Sequence, residues 1–366
     1  MISGCATQEG TEKFVQNSQA NSQNYKSIHG LHLSNVGIGT YLGEPDSQTD
    51  ELVKNAVKQS VLSGVNVIDT AINYRAQKAE RSVGKAIAEL IENDNISRDQ
   101  LFVSTKNGYV TNDAEIPGDF WEYIKNEYVA KGIISQGDIS SGYHCMAVSY
   151  LEDQLNRSLK NLNLECIDLL YIHNAVEGQI KDISKEEFLK KLTAVFELYE
   201  TKRKEGLIKF YGMATWECFR VTGDNPQYLS LNEVIEIAKK VGGLEHGFRF
   251  IQLPFNLYYD QAYMIKNQTF DDKQYSILEL AKNQNIGVFT SVPLMQGRLL
   301  QPGVMPEFAG LKPSLRALQF IRSTPGVAAP LVGQKTESHV NENLEIMKIP
   351  PIPETEFNDL VKKLTS

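Results

Sequence analysis

Short apolar runs rich in β-branched residues recur along the chain, each followed by a longer stretch in which apolar residues return every three or four positions. A continuous apolar run bounded by turn residues reads as a buried strand, and the longer spacing as an amphipathic helix. The alternation therefore predicts repeated βα units around a parallel sheet. The runs place strands at 36–39, 65–69, 101–106, 167–173, 208–214, 249–253, 286–291 and 328–332. Helices are predicted at 50–63, 79–92, 149–161, 185–205, 231–241, 275–284 and 314–322, with 338–347 as the eighth. In Val53, Val57 and Val61, and again in Leu151, Leu155 and Leu159, residues four apart make one apolar stripe to lie against the sheet. Gly64 and Gly206 stand just before strands, where a helix must end and the backbone often takes a positive φ. Eight βα units are the number that closes a (β/α)8 TIM barrel. The reading is α/β: one barrel domain over 28–366 behind a flexible N-terminal segment, 1–27.

One interval breaks the rhythm. Strands start about 30 to 40 residues apart elsewhere, but the step from 101 to 167 is far longer, so a long insertion follows the third strand, at about 107–143. It carries Tyr109, Phe120, Trp121, Tyr123, Tyr128 and Tyr143. The C-terminal ends of barrel strands form the face where binding loops gather, so an aromatic loop there is expected to wall or cover a ligand site. The plainer alternative is a decorative insertion or one that serves oligomer contact.

Charge and composition narrow the partners. Of the 366 residues 42% are hydrophobic, enough for a sizeable core, and the formal net charge is -8. An acidic chain without a basic patch is not expected to bind nucleic acid. No run of some 18 apolar residues predicts a membrane span. The four cysteines, Cys5, Cys145, Cys166 and Cys218, are widely spaced, with no CxxC pair and no histidine at metal-ligand spacing. Neither a metal site nor a disulfide framework is expected, and a reducing cytoplasmic setting fits. The first 27 residues lack the apolar run of a secretory signal; Cys5 follows Ser3-Gly4 as in a lipoprotein cleavage site, but four preceding residues leave no hydrophobic region.

Four polar residues fall at or just after strand C-termini: Asp69 at the second strand, Lys106 at the third, His173 at the fourth, and Tyr74 five positions after Asp69. Each has a plain reading alone, as helix cap, solvated lysine or structural histidine. Barrel topology, however, brings these adjacent strand ends to one side of one rim. A tyrosine near its ordinary pKa of about 10 is a poor proton donor at neutral pH. Lys106 is expected to stabilise the Tyr74 phenolate and lower that pKa, with Asp69 keeping the buried ammonium charged. With His173 orienting a carbonyl oxygen, such a cluster suits hydride transfer from a nicotinamide while Tyr74 delivers the proton.

Several segments carry a resemblance in chain order: Gly37-Ile38-Gly39-Thr40, Ile68-Asp69-Thr70-Ala71-Ile72-Asn73-Tyr74, Glu80-Arg81-Ser82-Val83-Gly84, Ser104-Thr105-Lys106, Asp168-Leu169-Leu170-Tyr171-Ile172-His173, Pro293-Leu294-Met295-Gln296-Gly297 and Val340-Asn341-Glu342-Asn343-Leu344. Together they resemble the aldo-keto reductase superfamily over nearly the whole chain. The resemblance implies a (β/α)8 barrel, NADPH as cofactor with NADH possible, a small-molecule carbonyl substrate, and Asp69, Tyr74, Lys106 and His173 as the catalytic tetrad. It further implies that Gly39, Thr40, Asp69, Thr215 and Gln252 meet the nicotinamide end, and that Leu294, Gln296, Gly297 and Arg298 meet the pyrophosphate. Gly333, Gln334, Lys335, His339, Glu342 and Asn343 would take the adenosine end. Tyr41, Trp121, Asn174 and Trp216 are the implied substrate contacts. No metal is implied, and the oligomeric state is open.

The chain also departs from the pattern. Where the family commonly has Ser-Asn after the fifth strand, this chain has Ala214-Thr215-Trp216, so only the Thr215 hydroxyl can grip a carboxamide. Ser291-Val292 stands where many members stack an aromatic ring, and Lys335 is the one cation near the implied 2′-phosphate. Two alternatives stay open from the residues: a nicotinamide-binding sensor or partner-binding subunit without turnover, and a Schiff-base lyase using Lys106, which pairing with Asp69 disfavours.

Overall fold

A computed structural model describes residues 1–94 and 96–365. Strands β1 (Tyr25–Ile28) and β2 (Leu31–Ser34) pair as an antiparallel hairpin. The barrel then begins with β3 (Gly37–Gly39), β4 (Val67–Asp69), β5 (Phe102–Asn107), β6 (Ile167–His173), β7 (Ile208–Ala214) and β8 (Phe248–Pro254). After a second hairpin, β9 (Gln268–Phe270) and β10 (Lys273–Tyr275), it is completed by β11 (Gly287–Ser291) and β12 (Val327–Gly333). Barrel neighbours follow chain order, all parallel, and β12 pairs with β3 to close the ring. The eight predicted strands are the eight barrel strands, with ends within two residues, and the eight predicted helices are present with ends within three. The helix at Ser47–Leu62 starts earlier than its apolar stripe because Asp46 caps it, accepting from the Thr49 amide at 2.7 Å.

Two layers of core explain the strand composition. Every residue of β5 and β6 is buried, as expected of parallel strands covered on both faces. Outward residues such as Val103, Leu170 and Ile251 pack against helix stripes that include Val53, Val57, Leu151 and Leu155. Inward residues Val67, Phe102, Leu169, Tyr171, Phe250 and Phe289 fill the bore.

The flexible segment expected at 1–27 is corrected by the structure, which orders it against the barrel floor. Ile2 bridges Leu164 in parallel, the Ala6 amide donates to Asp168 at 2.6 Å, and a helix runs from Gln8 to Asn17. Ala6, Leu31 and Leu33 join the bore core, so this segment and the β1–β2 hairpin plug the N-terminal end of the barrel. The helix packs so closely that a Cβ on Gly10 would collide with the Asp99 carbonyl oxygen. A polar sequence hid this order because its contacts are mostly long-range hydrogen bonds around a few apolar anchors such as Phe14.

The insertion after β5 holds a short helix, Phe120–Ile124, a π turn, Lys125–Val129, and a 3-10 turn, Gln136–Asp138. Its aromatics divide by face: Tyr123 and Tyr128 are buried in the outer core, whereas Trp121 and Tyr143 are about half exposed. The chain beyond β12 ends in a helix, Glu354–Thr365, which the periodic reading did not include. Among the described residues no helix is long and apolar enough to cross a membrane, and no cluster of three or more His, Cys, Asp or Glu is placed to hold a metal.

Candidate active site

Parallel register builds the site from strand ends. Gly39 lies beside Asp69 and Gly333, Asp69 beside Ser104, and His173, Ala214 and Gln252 form one row across β6, β7 and β8. Residues of seven of the eight barrel strands line a cavity of about 720 Å³ at this rim, β5 being the barrel strand absent from the lining. That strand contributes from below: Ser104 and Lys106, two apart, point the same way, and Lys106 is fully buried.

The four expected catalytic side chains come together. Lys106 Nζ donates to Asp69 Oδ2 at 2.5 Å and to the Thr70 carbonyl at 2.8 Å, and lies 4.9 Å from the centre of the Tyr74 ring. Asp69 Oδ1 accepts from Ser104 Oγ at 2.8 Å and Gln252 Nε2 at 3.1 Å. Thr40 Oγ1 donates to the Asp69 carbonyl, fixing the loop after β3 to the end of β4. The Tyr74 ring meets Tyr41 edge-on at 4.9 Å and His173 at 5.9 Å, and Tyr109 meets His173 at 5.0 Å.

The electrostatics differ from the sequence expectation in one respect. Burial pushes the Tyr74 phenol well above its ordinary value of 10, and the Asp69 charge pushes it the same way. The expectation that Lys106 lowers it is corrected: the ammonium is itself pulled down by burial and has its charge balanced by the Asp69 carboxylate. His173 is pushed well below 6.5 by burial, then by the Lys106 charge, and is neutral at pH 7. Its Nδ1 is buried without a hydrogen-bond partner.

The residues expected around the cofactor fall mostly along the same cavity: Gly39, Thr40, Thr215, Gln252, Leu294, Gln296, Gly297, Gly333, Gln334, Lys335, His339, Glu342 and Asn343 all line it. Thr215 is buried in the wall of the cavity. The turn after β11 has Val292 at φ 50, Met295 at 46, Gln296 at 53 and Gly297 at 88, a run of left-handed conformations of the kind that turns amides toward an anion. A β-branched residue in this region is strained, and Asn256 holds it by donating to the Val292 carbonyl at 3.0 Å. At the far end Gln334 is tied to Ser60 and Asn343, and Glu342 accepts from the Ser314 hydroxyl. Lys335 lines this end and forms no ion pair among the described residues.

Two expected contacts are not brought to the cavity. Trp121 lies outside the lining, 5.7 Å from Tyr143 and 5.1 Å from Phe120, because it sits on the exposed side of its short helix. Arg298 is exposed and also outside it, although Gly297 and Leu300 on either side do line the cavity, so its side chain faces away from it. Tyr41, Asn174 and Trp216 do line the cavity, Asn174 donating to the Tyr109 hydroxyl at 3.2 Å.

Sequence reasoning missed the groups that hold the rim. His144 Nε2 meets the His173 carbonyl at 2.8 Å, while Gln179 donates to His144 Nδ1. Glu177 Oε1 accepts from the amides of Trp216, Glu217 and Cys218 at 2.8, 2.6 and 3.2 Å, fixing the loop that presents Trp216. Neither had a local signal, because the partners lie 29 to 41 residues away. Tyr109 had one: it stands three residues after Lys106, within the aromatic insertion.

The model of the Aldo/keto reductase family matches residues 35–307. The chain belongs to that family. By this membership the reductase is an NAD(P)H-dependent oxidoreductase. It is similar to the uncharacterized oxidoreductase YtbE of Bacillus subtilis, 26% identical over 77% of this chain and 71% of that protein. It also resembles YqkF of the same organism, 22% identical over 90% and 92%. Among solved structures, an aldo/keto reductase from Klebsiella pneumoniae in complex with NADP and acetate has a TM-score of 0.61 at 18% identity, covering 93% of this chain and 95% of its own. An aldo-keto reductase from Bacillus halodurans in its holo form has 0.58 at 20%, covering 93% and 96%. These likenesses place the reductase in the fold already described.

Proposed function

We propose that the reductase converts an aldehyde or ketone to an alcohol with NADPH, Tyr74 delivering the proton. The observation that carries this is the buried Asp69–Lys106 pair beneath the Tyr74 ring, beside a neutral His173, at the floor of a large cavity.

The cavity fits a dinucleotide at three separate points. The buried Thr215 hydroxyl suits a carboxamide, the left-handed turn at 292–297 suits a pyrophosphate, and Lys335, without an ion pair among the described residues, suits a 2′-phosphate. NADPH is favoured over NADH on Lys335 alone, a single cation rather than a bidentate arginine. Bound NADPH supplies the hydride for the carbonyl carbon. Tyr74 is protonated at pH 7, so it is in the form that donates to the carbonyl oxygen as negative charge develops there. Neutral His173 orients that oxygen by a hydrogen bond and does not compete as the acid. Asp69 holds the buried Lys106 ammonium in place beneath the Tyr74 ring, so the pair forms the fixed floor against which the phenol is positioned. Tyr41, Tyr109 and Trp216 surround the reacting position with rings and favour an apolar or cyclic substrate.

The test is loss of NADPH absorbance with a panel of aromatic and aliphatic aldehydes, on the parent and on Tyr74→Phe. Turnover should fall about 10²- to 10⁴-fold while the Kd for NADPH stays the same. Equal turnover by the variant would remove Tyr74 as the acid, and no consumption with any carbonyl would favour the non-catalytic alternative.

A further inference from the structure

Outside the active site, the two thiols the mechanism does not use and the fold brings together are Cys5 and Cys166, which are 161 positions apart in the chain. The N-terminal segment runs parallel to the residues that lead into β6. Ile2 donates to Asn163 and accepts from Glu165 at 2.7 and 2.9 Å, and the Ala6 amide reaches Asp168. Lys209 Nζ donates to the Ala6 carbonyl at 2.7 Å and closes the other side. Between these anchors the parallel register sets Cys5 beside Cys166, so close that each thiol acts on the other more than any other group does. Cys5 is partly exposed, whereas Cys166 is buried.

We propose that Cys5 and Cys166 are a redox-active pair that a hydroperoxide closes to a disulfide, fastening the N-terminal segment covalently to the barrel floor. The unequal exposure assigns the order of events, because an oxidant reaches Cys5 first and Cys166 is positioned behind it to resolve. The charges agree. The neighbouring Cys166 thiol brings the Cys5 thiol down to about 7, assisted by Lys209 and Arg98 against burial and Asp168, while the nearness of Cys5 and burial push Cys166 up.

The Cys5 thiolate attacks one peroxide oxygen, the O–O bond breaks, and the other oxygen leaves as water after taking a proton, so Cys5 becomes a sulfenic acid. The Cys166 sulfur then attacks the Cys5 sulfur. The S–S bond forms as the S–O bond breaks, and the hydroxide leaves as a second water with the Cys166 proton. Two thiols have lost two electrons and two protons, and one peroxide has become two waters. The remaining cysteines do not compete: Cys145 and Cys218 are buried and their thiols are pushed up by burial.

The experiment treats the reduced full-length chain with stoichiometric hydrogen peroxide and follows intact mass, peptide maps and Tm. The parent should lose about 2 Da, with a 5–166 link in the map, and its Tm should rise by roughly 5 °C and return on reduction. Cys166→Ser should instead gain about 16 Da at Cys5, trapped by a sulfenic-acid reagent, and Cys5→Ser should show no mass loss. On the parent alone, an alkylating reagent should label Cys5 before oxidation and not after. The proposal is overturned if the parent only gains oxygen, if the link maps to another pair, or if Cys5→Ser still loses the 2 Da.

Discussion

At the scale of single residues the decisive interaction is a charge pair in a place water does not reach. Lys106 is fully buried and Asp69 nearly so, and each is held by further bonds, to the Thr70 carbonyl and to Ser104 and Gln252. A pair of this kind contributes little net stability, yet breaking it is costly, because the remaining charge stays buried without a partner. Lys106→Met should therefore lower unfolding free energy by about 3 kcal/mol and abolish most turnover. Combining it with Asp69→Leu should recover part of the stability and none of the turnover. Chemical denaturation with parallel assays separates the two effects, and a single variant as stable as the parent would contradict the account of the pair. Both side chains were legible in the sequence because strand ends in a barrel must meet at one rim. The sign of the Tyr74 shift was not, since it depends first on how completely the folded rim buries the phenol and then on the Asp69 charge nearby.

Among elements, the loop after β7 shows how a wall of the cavity is positioned. Glu177 follows β6, and one of its oxygens receives three successive amides of the loop that carries Trp216. Arg220 adds a bond from Nε to the Trp216 carbonyl at 2.9 Å. Hydrogen bonds to a charged acceptor are roughly twice as strong as neutral ones. Glu177→Gln should thus loosen the loop, raising KM for bulky aldehydes about 5-fold with little change in kcat, and shifting Trp216 emission to the red. The chain has two tryptophans, so the emission is read in a Trp121→Phe background. Unchanged emission and KM would mean that Arg220 alone holds the loop. Helices and strands themselves were largely legible, because each carries its own periodicity. The insertion was located by its length, but which face of its short helix Trp121 occupies was beyond any local pattern.

For the molecule as a whole, buried histidines set the response to acid. His144 is held neutral by burial, its pKa brought down to about 4, and His173 and His29 are lowered by burial in the same way. A histidine depressed in the folded state binds its proton only on unfolding. Its contribution is therefore whole above the unfolded value of about 6.5 and lost as pH falls toward the folded one. For fully buried His144 this amounts to about 3 kcal/mol between pH 6.5 and 4. Glu80, raised by burial, works in the opposite direction at the acid end. Thermal melts from pH 7.5 to 5 should show a falling Tm, and His144→Gln should flatten that slope; a parent curve without slope would contradict neutral burial.

The sequence alone determined the eight βα units, hence the barrel, and the strand-end positions of Asp69, Lys106 and His173, because hydrophobic periodicity is written locally and barrel closure follows from it. Tertiary structure alone decided the order of residues 1–27, the turning away of Trp121 and Arg298, the hold of Glu177 on its loop, and the meeting of Cys5 with Cys166. Each of these depends on contacts between residues far apart in the chain, or on the direction of one side chain. Neither leaves a trace in local spacing.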